Sequence, residues 1–227
     1  MRLGMIENDI FLLIRSSRRT LALEIKPDAT LVVRAPRRTP MKQIHHFIAS
    51  HGDWISRKQA ETIARPKPRV KQFIEGEEFL LQGKPCNLRL VAAPAQDVDF
   101  DGSLLLSISA LPQARELVVK WYKVRAREAF SERVEKHAAV MGCYPAALRI
   151  TSPRRRWGSC GATGSLNLNW RLVMAPREVI EYVVVHELAH LKHRHHGRDF
   201  WDFVEAFAPA YRRARLWLRD NGHTLDI

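Results

Sequence analysis

The chain has 227 residues, 46% hydrophobic and 27% charged, with a net charge of +13. This is the balance of a soluble globular protein, long enough for one large domain or two small ones, and no run of about 18 apolar residues offers a membrane span. The charge is uneven, with +8 over residues 1–70, zero over 71–140 and +5 over 141–227. Basic ends attract polyanions, so nucleic-acid contact is an expectation, although no nucleic-acid motif stands out.

The opening, MRLGMIENDIFLLIRSS, has an apolar run only from Ile10 to Ile14. That is too short for the core of an export signal and reads as a strand, so a cytoplasmic location is expected. Cys86, Cys143 and Cys160 are far apart and form no CxxC pair, so neither a disulfide framework nor a cysteine zinc site is indicated. DIFLLIRSS, RTLALEIKP and ATLVVRAP alternate as three short strands, with turns at Ser16-Ser17-Arg18 and Pro27-Asp28, and suggest a meander. A helical stretch follows from Thr39, a candidate N-cap with Pro40 at the first turn. Ile44, Phe47, Ile48, Trp54 and Ile55 line one face, with a bend expected near Gly52. ARPKPRVK, residues 64–71, is a connector rich in proline and basic residues. FLLQG, KPCNLRLVAA and SLLLSIS are further strands, so residues 1–110 read as a β-rich domain with one long helix.

From about Gln113 the period becomes helical. Residues 113–142 form one amphipathic helix ending at Gly142, with Leu117, Trp121, Val124, Ala129 and Val134 on the expected buried stripe. ALRITSP is a short strand, RRRWGSCGATG a turn-rich loop and SLNLNWRLV another strand. Pro176 opens the helix PREVIEYVVVHELAHLKHRH, and two more helices close a second domain over residues 111–227.

Five histidines fall within the eleven residues 186–196. In HELAH, residues i and i+4 share a helical face, so His186 and His190 can aim two imidazoles at one metal ion. Glu187, beside the first, can act as the base toward a water whose pKa zinc lowers to about 7. The apolar flank of Ile180, Val183, Val184, Val185 and Leu188 is that of a buried helix rather than a solvated one. For the third ligand, His193 lies about 10 Å along the axis from His186 on a continuing helix. His196 can return only if the helix stops, and Gly197 is the natural place for a left-handed turn. His196 is the preferred ligand and His195 its nearest rival; Glu205 or Asp199 would be a carboxylate solution. The spacing H-E-x-x-H-x5-H matches the metzincins, but a histidine stands at 193 where they carry glycine, and no Met-turn is evident.

Arg156 and Ser159 could bond backbone or substrate, although RWGSC reads equally well as a loop packing the sheet against the HELAH helix. SLNLNWRLV is the expected edge strand beside the metal, where an extended peptide would add by backbone hydrogen bonds. Asn167 and Asn169 would face one side and Leu166 and Leu168 the other. Asn167, Asn169 and Arg156 are thus the candidate substrate contacts. Cys160 reads as a small buried residue, and Tyr211 and Arg156 are weak oxyanion candidates, Tyr211 reading better as core.

RWGSC (Arg156–Cys160), LNLNWRL (Leu166–Leu172), the Pro176 helix start, HELAH, the third histidine and the pair Phe200-Trp201 lie within about 50 residues. Together they resemble the YgjP-like metal-dependent hydrolases, a minimal metallopeptidase domain similar to the SprT-like and WLM zinc proteases. The resemblance implies an α+β, zincin-like core with a small antiparallel sheet, a backing helix and an active-site helix, preceded by a β-rich N-terminal half. It also implies His186, His190 and His196 as zinc ligands and Glu187 as general base. The preferred function is a zinc metallopeptidase acting on polypeptide. The family also brings in a metal-dependent nucleoside triphosphate pyrophosphohydrolase, which suits the basic ends but lacks the carboxylate cluster that Mg2+ chemistry uses. The third reading is a basic nucleic-acid or ribosome-binding module with a structural zinc, for which a free glutamate beside the metal would be wasteful.

Overall fold

A computed structural model describes residues 2–6, 9–26, 28–64, 70–92 and 95–227. The body of the expected connector, residues 65–69, and Pro27 of the expected turn lie outside the described residues. The chain is a mixed α+β protein of several small sheets and helices, in two compact units, Met1–Lys67 and Pro68–Ile227. The division thus falls at Lys67 rather than near residue 110. The reason is the core: Phe79, Leu88, Leu104 and Leu106 from the strand region share one hydrophobic cluster with Val118, Tyr122 and Phe130 of the helix that follows.

In the first unit, β1 (Arg2–Ile6), β2 (Asp9–Ser16), β3 (Ala22–Ile25) and β4 (Leu31–Pro36) form a sheet in the order β1-β2-β4-β3. The expected meander is not formed. β3 pairs with the far side of β4, so β2 and β4 become parallel neighbours, with Phe11 opposite Leu31 and Ser16 opposite Pro36. The expected single helix is two, α1 (Met41–Ala49) and α2 (Gly52–Ala64). The Ser50 hydroxyl and His51 Nδ1 both donate to the Phe47 carbonyl, at 3.0 and 2.8 Å, and compete with helix continuation there. α1 starts with Pro40, not Thr39, at its cap, without a side-chain hydrogen bond. Phe11, Leu13, Leu31, Val33 and Ala35 pack against Ile44, Ile48 and Ile55.

The second unit opens with β5 (Glu78–Leu81), β6 (Lys84–Val91), β7 (Val98–Phe100) and β8 (Leu104–Ser107), in the order β5-β6-β8-β7. α3 (Ala114–Met141) follows and ends on Gly142, whose φ of 62° closes the helix in the left-handed region. Its buried face includes Ala114, Val118, Tyr122, Ala126, Ala129, Phe130, Val134 and Ala138. Ala129 and Val134 are buried as expected, but in the first half Val118 and Tyr122 take the buried positions beside Leu117 and Trp121, and Val124 is exposed. Four alanines, Ala114, Ala126, Ala129 and Ala138, are buried on this face, and larger Leu117 and Trp121 are partly buried beside it.

β9 (Ala147–Thr151), β10 (Gly158–Cys160) and β11 (Ser165–Asn169) form the sheet nearest the histidines, in the order β10-β11-β9. The small sheet is mixed, not antiparallel: β11 runs against β10 but along β9. β11 is therefore central, and the expected edge strand is the wrong one. The edge is β10, which the sequence presents only as part of a loop. A tight turn at Trp170–Met174 then leads into α4 (Arg177–Ala189), α5 (Arg198–Phe207) and α6 (Tyr211–Asn221).

One contact fixes the start of α4. The two-residue turn Gln82-Gly83 between β5 and β6 has positive φ at both residues, 50° and 78°. Gln82 N–H donates to Val173 O at 2.7 Å and Gly83 N–H to Met174 O at 3.0 Å. Gln82 Oε1 accepts from Arg177 Nε at 2.9 Å and Arg133 Nη2 at 3.2 Å, tying α3 to α4. A Cβ on Gly83 would lie 2.7 Å from Pro176 Cα. Gly83→Ala combines a left-handed alanine with a backbone clash and should cost about 2–4 kcal/mol in urea unfolding. An unchanged midpoint would show that this clamp does not hold α4.

Candidate metal centre

α4 is buried along most of its length: Val179, Ile180, Val183, Val184, Val185, Leu188 and Ala189 are all in the core. Its exit is abrupt. The expected continuation through residue 195 does not occur. The helix ends at Ala189, and its last carbonyls are taken in tight turns by Leu191, Lys192 and His193 N–H groups. Gly197, expected to make a left-handed turn, has φ −75° and instead begins α5. The reversal thus lies within residues 190–196, and it brings His196 back to the helix.

His186, His190 and His196 can each present a ring nitrogen to one point, and these atoms all lie within 4.8 Å of one another. His186 Nε2 and His196 Nε2 are 3.1 Å apart. Two nitrogens about 2.05 Å from one tetrahedral ion would be about 3.3 Å apart, so the His186–His196 pair is spaced as ligands of one metal. No other group of three or more such ligands occurs among the described residues. Of the rivals, Glu205 is bidentate to Arg212, His193 packs on Phe203 at 5.3 Å, and the His195 carbonyl accepts the Gly197 N–H.

The surroundings orient the imidazoles. His190 Nδ1 donates to the His193 carbonyl at 3.1 Å, which leaves Nε2 for a ligand. Tyr182 Oη lies 3.5 Å from His186 Nδ1. Phe200, fully buried, sits against all three rings with centroids 4.7–4.9 Å away. Trp201 stacks on His196 and is itself stacked on Tyr211, which is core, as its alternative reading had it. The sequence pointed to Phe200-Trp201 only through family resemblance; their role as an aromatic floor needed the fold. Burial, then the charges of His190 and His196, push His186 down to about 3, and burial also lowers His190, so both are neutral with lone pairs free at neutral pH.

Glu187 is 5% exposed and faces β10. Burial pushes its carboxyl up to about 7, while the Arg156 charge and the Cys160 N–H hydrogen bond pull the other way. A Cβ on Gly158 would lie 2.6 Å from Glu187 Cγ and Oε1. Only glycine therefore lets the edge strand come this close to the carboxylate. Trp157 anchors the strand's start against Gly222, where a Cβ would meet Trp157 Cζ2 at 2.7 Å. A cleft of about 620 Å3 opens over the three histidines and Glu187, flanked by Arg156 and Arg194. Arg156 is thus at the site. Asn167 is partly exposed, and its Nδ2 donates to Ser159 O and Oγ at 3.3 and 3.4 Å. Asn169 is not in the cleft. It is 2% exposed and spends its side chain on the chain itself, donating to Pro153 O and Arg156 O and accepting from Arg171 N–H. It holds the 153–156 loop rather than a substrate.

The model of the YgjP-like metallopeptidase domain matches residues 19–221. The chain belongs to this family. It is therefore a metal-dependent peptidase in general character, and peptide is its implied substrate class. Two solved structures are similar to it: the metallopeptidase zymogen of Pyrococcus abyssi abylysin, at 22% identity and TM-score 0.35, and that of Methanocaldococcus jannaschii jannalysin, at 20% and 0.36. Each match covers 40% of this chain and 93% of the other. No curated protein matches the chain. No helix among the described residues is long and apolar enough to cross a membrane.

Gly158→Ala should leave bound metal near wild type, because it touches none of the three histidines, and should lower the thermal midpoint, because the new Cβ meets the Cγ of buried Glu187 as well as its carboxylate. Peptidase activity should fall by about 100-fold, the scale of a catalytic group displaced by about 1 Å. Full activity in this variant would mean that the close approach of β10 to Glu187 is incidental.

Proposed function

We propose that this chain is a zinc-dependent metallopeptidase with a zincin-like arrangement. In it α4 carries His186 and Glu187, His190 caps its end, His196 completes the ligand set, α3 backs the core, and β10 forms the rim of the cleft. The observation that carries this reading is the convergence of three imidazole nitrogens beside a buried carboxylate that reaches the free edge of a strand. Three imidazoles are a donor set suited to zinc, and three protein ligands leave a fourth position open to the cleft. Mg2+ would call for carboxylate oxygens. Zinc bound there would acidify a water and polarise the scissile carbonyl.

The backbone gives the substrate a track. In the β10–β11 ladder Trp157 O accepts from Asn169 N–H and Gly161 N–H donates to Ser165 O. By antiparallel alternation Ser159 faces β11, and the N–H and C=O groups of Gly158 and Cys160 face the open edge. The Cys160 N–H is taken by Glu187. Gly158 N–H and the Gly158 and Cys160 carbonyls stay available to an extended peptide, which would run past the carboxylate as an added strand. Glu187 then takes a proton from the attacking water and returns it to the leaving amine.

Glu187→Gln should retain metal and lose peptide hydrolysis by about 10^2- to 10^4-fold, the usual reach of general acid–base catalysis. Elemental analysis and cleavage of an unfolded protein test both halves, and wild-type turnover in the variant would reject Glu187 as base. His196→Ala should lose most bound zinc while His193→Ala keeps it. The opposite order in metal content would reject His196 as the third ligand.

A further inference from the structure

The wall of the cleft contains a second, smaller cavity of about 280 Å3, lined by Thr151, Ser152, Pro153, Arg156, Gly158, Ser159 and Asn167. Arg156, Gly158 and Ser159 line both it and the main cleft. Among the described residues no carboxylate lines the small cavity, and the main cleft holds only that of buried Glu187 while carrying a second arginine, Arg194. Among the described residues the Arg156 guanidinium has no hydrogen bond or ion pair within the chain, and its side chain is exposed to the cleft. The backbone of its loop is nonetheless held, because Asn169 binds the Pro153 and Arg156 carbonyls from below. The Ser159 hydroxyl accepts from Asn167 Nδ2 at 3.4 Å and keeps its own proton to donate. Arg156 and Ser159 therefore supply donors on one wall, and the one acid near them among the described residues is the buried Glu187, whose carboxyl the Arg156 charge steadies from a distance without an ion pair.

Strand alternation says what meets this wall. Gly158 faces Glu187, and Ser159 projects to the other side of the sheet. A peptide added along β10 alternates in the same way, so one side chain near the cleaved bond, or the end of the peptide itself, falls beside Arg156 and Ser159. We propose that this cavity is a substrate subsite for a carboxylate, which makes the enzyme selective for acidic peptide. The volume suits one side chain, a guanidinium fork matches a carboxylate, and lysine would be repelled. The proposal rests on the peptidase reading above, and it assigns Arg156 to specificity.

The test uses the zinc-loaded full-length chain and internally quenched peptides that differ at one position on either side of the cleaved bond, Glu, Gln, Leu or Lys. Each is made with a free or an amidated C-terminus. Wild type should favour Glu over Gln at one position by about tenfold or more in kcat/KM. Arg156→Gln should erase that ratio, and Arg156→Glu should invert it toward Lys. Arg156-dependent preference for the free acid over the amide would place the peptide's terminus, rather than a side chain, in the subsite. Binding gives a second readout. Glu187→Gln should hold a fluorescein-labelled Glu peptide more tightly than its Gln twin, and the added Arg156→Gln change should remove the difference. Cleavage with a Glu/Gln ratio within about twofold, or a ratio that survives Arg156→Gln, overturns the subsite and leaves the peptidase reading standing. Cleavage of no peptide, with nucleoside triphosphates hydrolysed instead, overturns the peptidase reading first and the subsite with it.

Discussion

The site depends on where α4 stops. Its last helical residue is Ala189, and His190 caps it. Were the helix to continue, residue 196 would lie about 9 Å beyond residue 190 along the axis, and no ion could touch both. Instead three tight hydrogen bonds to the Leu188 and Ala189 carbonyls close the helix, and the chain reverses without a left-handed residue. Phe200, at the start of α5, then seats all three imidazoles on one ring. Helix end, reversal and aromatic floor are one construction, and each would be purposeless without the others.

A second constraint is electrostatic. Burying a carboxylate is costly unless something compensates it. Around Glu187 the compensation comes from three sides: the Cys160 N–H, the Arg156 charge and the place beside the histidines where a dication fits. The first two depend on β10 lying against α4, and that approach depends on the missing side chain of Gly158. The same backbone that steadies the carboxylate is the free edge of the sheet, so the base and the track for an extended peptide lie side by side.

The rest of the second unit holds this geometry still. The Gln82-Gly83 turn grips the entrance of α4, Trp157 locks the entrance of β10 against Gly222, and Asn169 pins the loop between β9 and β10. At the C-terminal end Leu225 and Ile227 are buried, and Asp226 pairs with Arg171 at 2.9 Å. These are ties between segments far apart in the chain, made largely through backbone groups. They leave almost no mark in residue pattern: a QG dipeptide, a single tryptophan and an asparagine all have blander readings.

The sequence by itself determined what is local. Two histidines four apart on an apolar helix share a face by helical geometry alone, and the glutamate between them is placed by the same rule. Eight of the strands, all but β1, β7 and β10, together with the long helix after Gln113 and its stop at Gly142, follow from short-range pattern and backbone preference. Only the tertiary structure decided what depends on pairing at a distance. It made β10 rather than β11 the edge and the small sheet mixed, because β9 and not a further hairpin took the other side of β11. It turned Asn169 from a substrate contact into a loop support, and moved the division of the chain to Lys67 by joining strands 78–107 to the core of α3. The common reason is that strand order and core membership are settled by which apolar faces meet. Alternation along a strand records that a face is apolar, but not which neighbour will cover it.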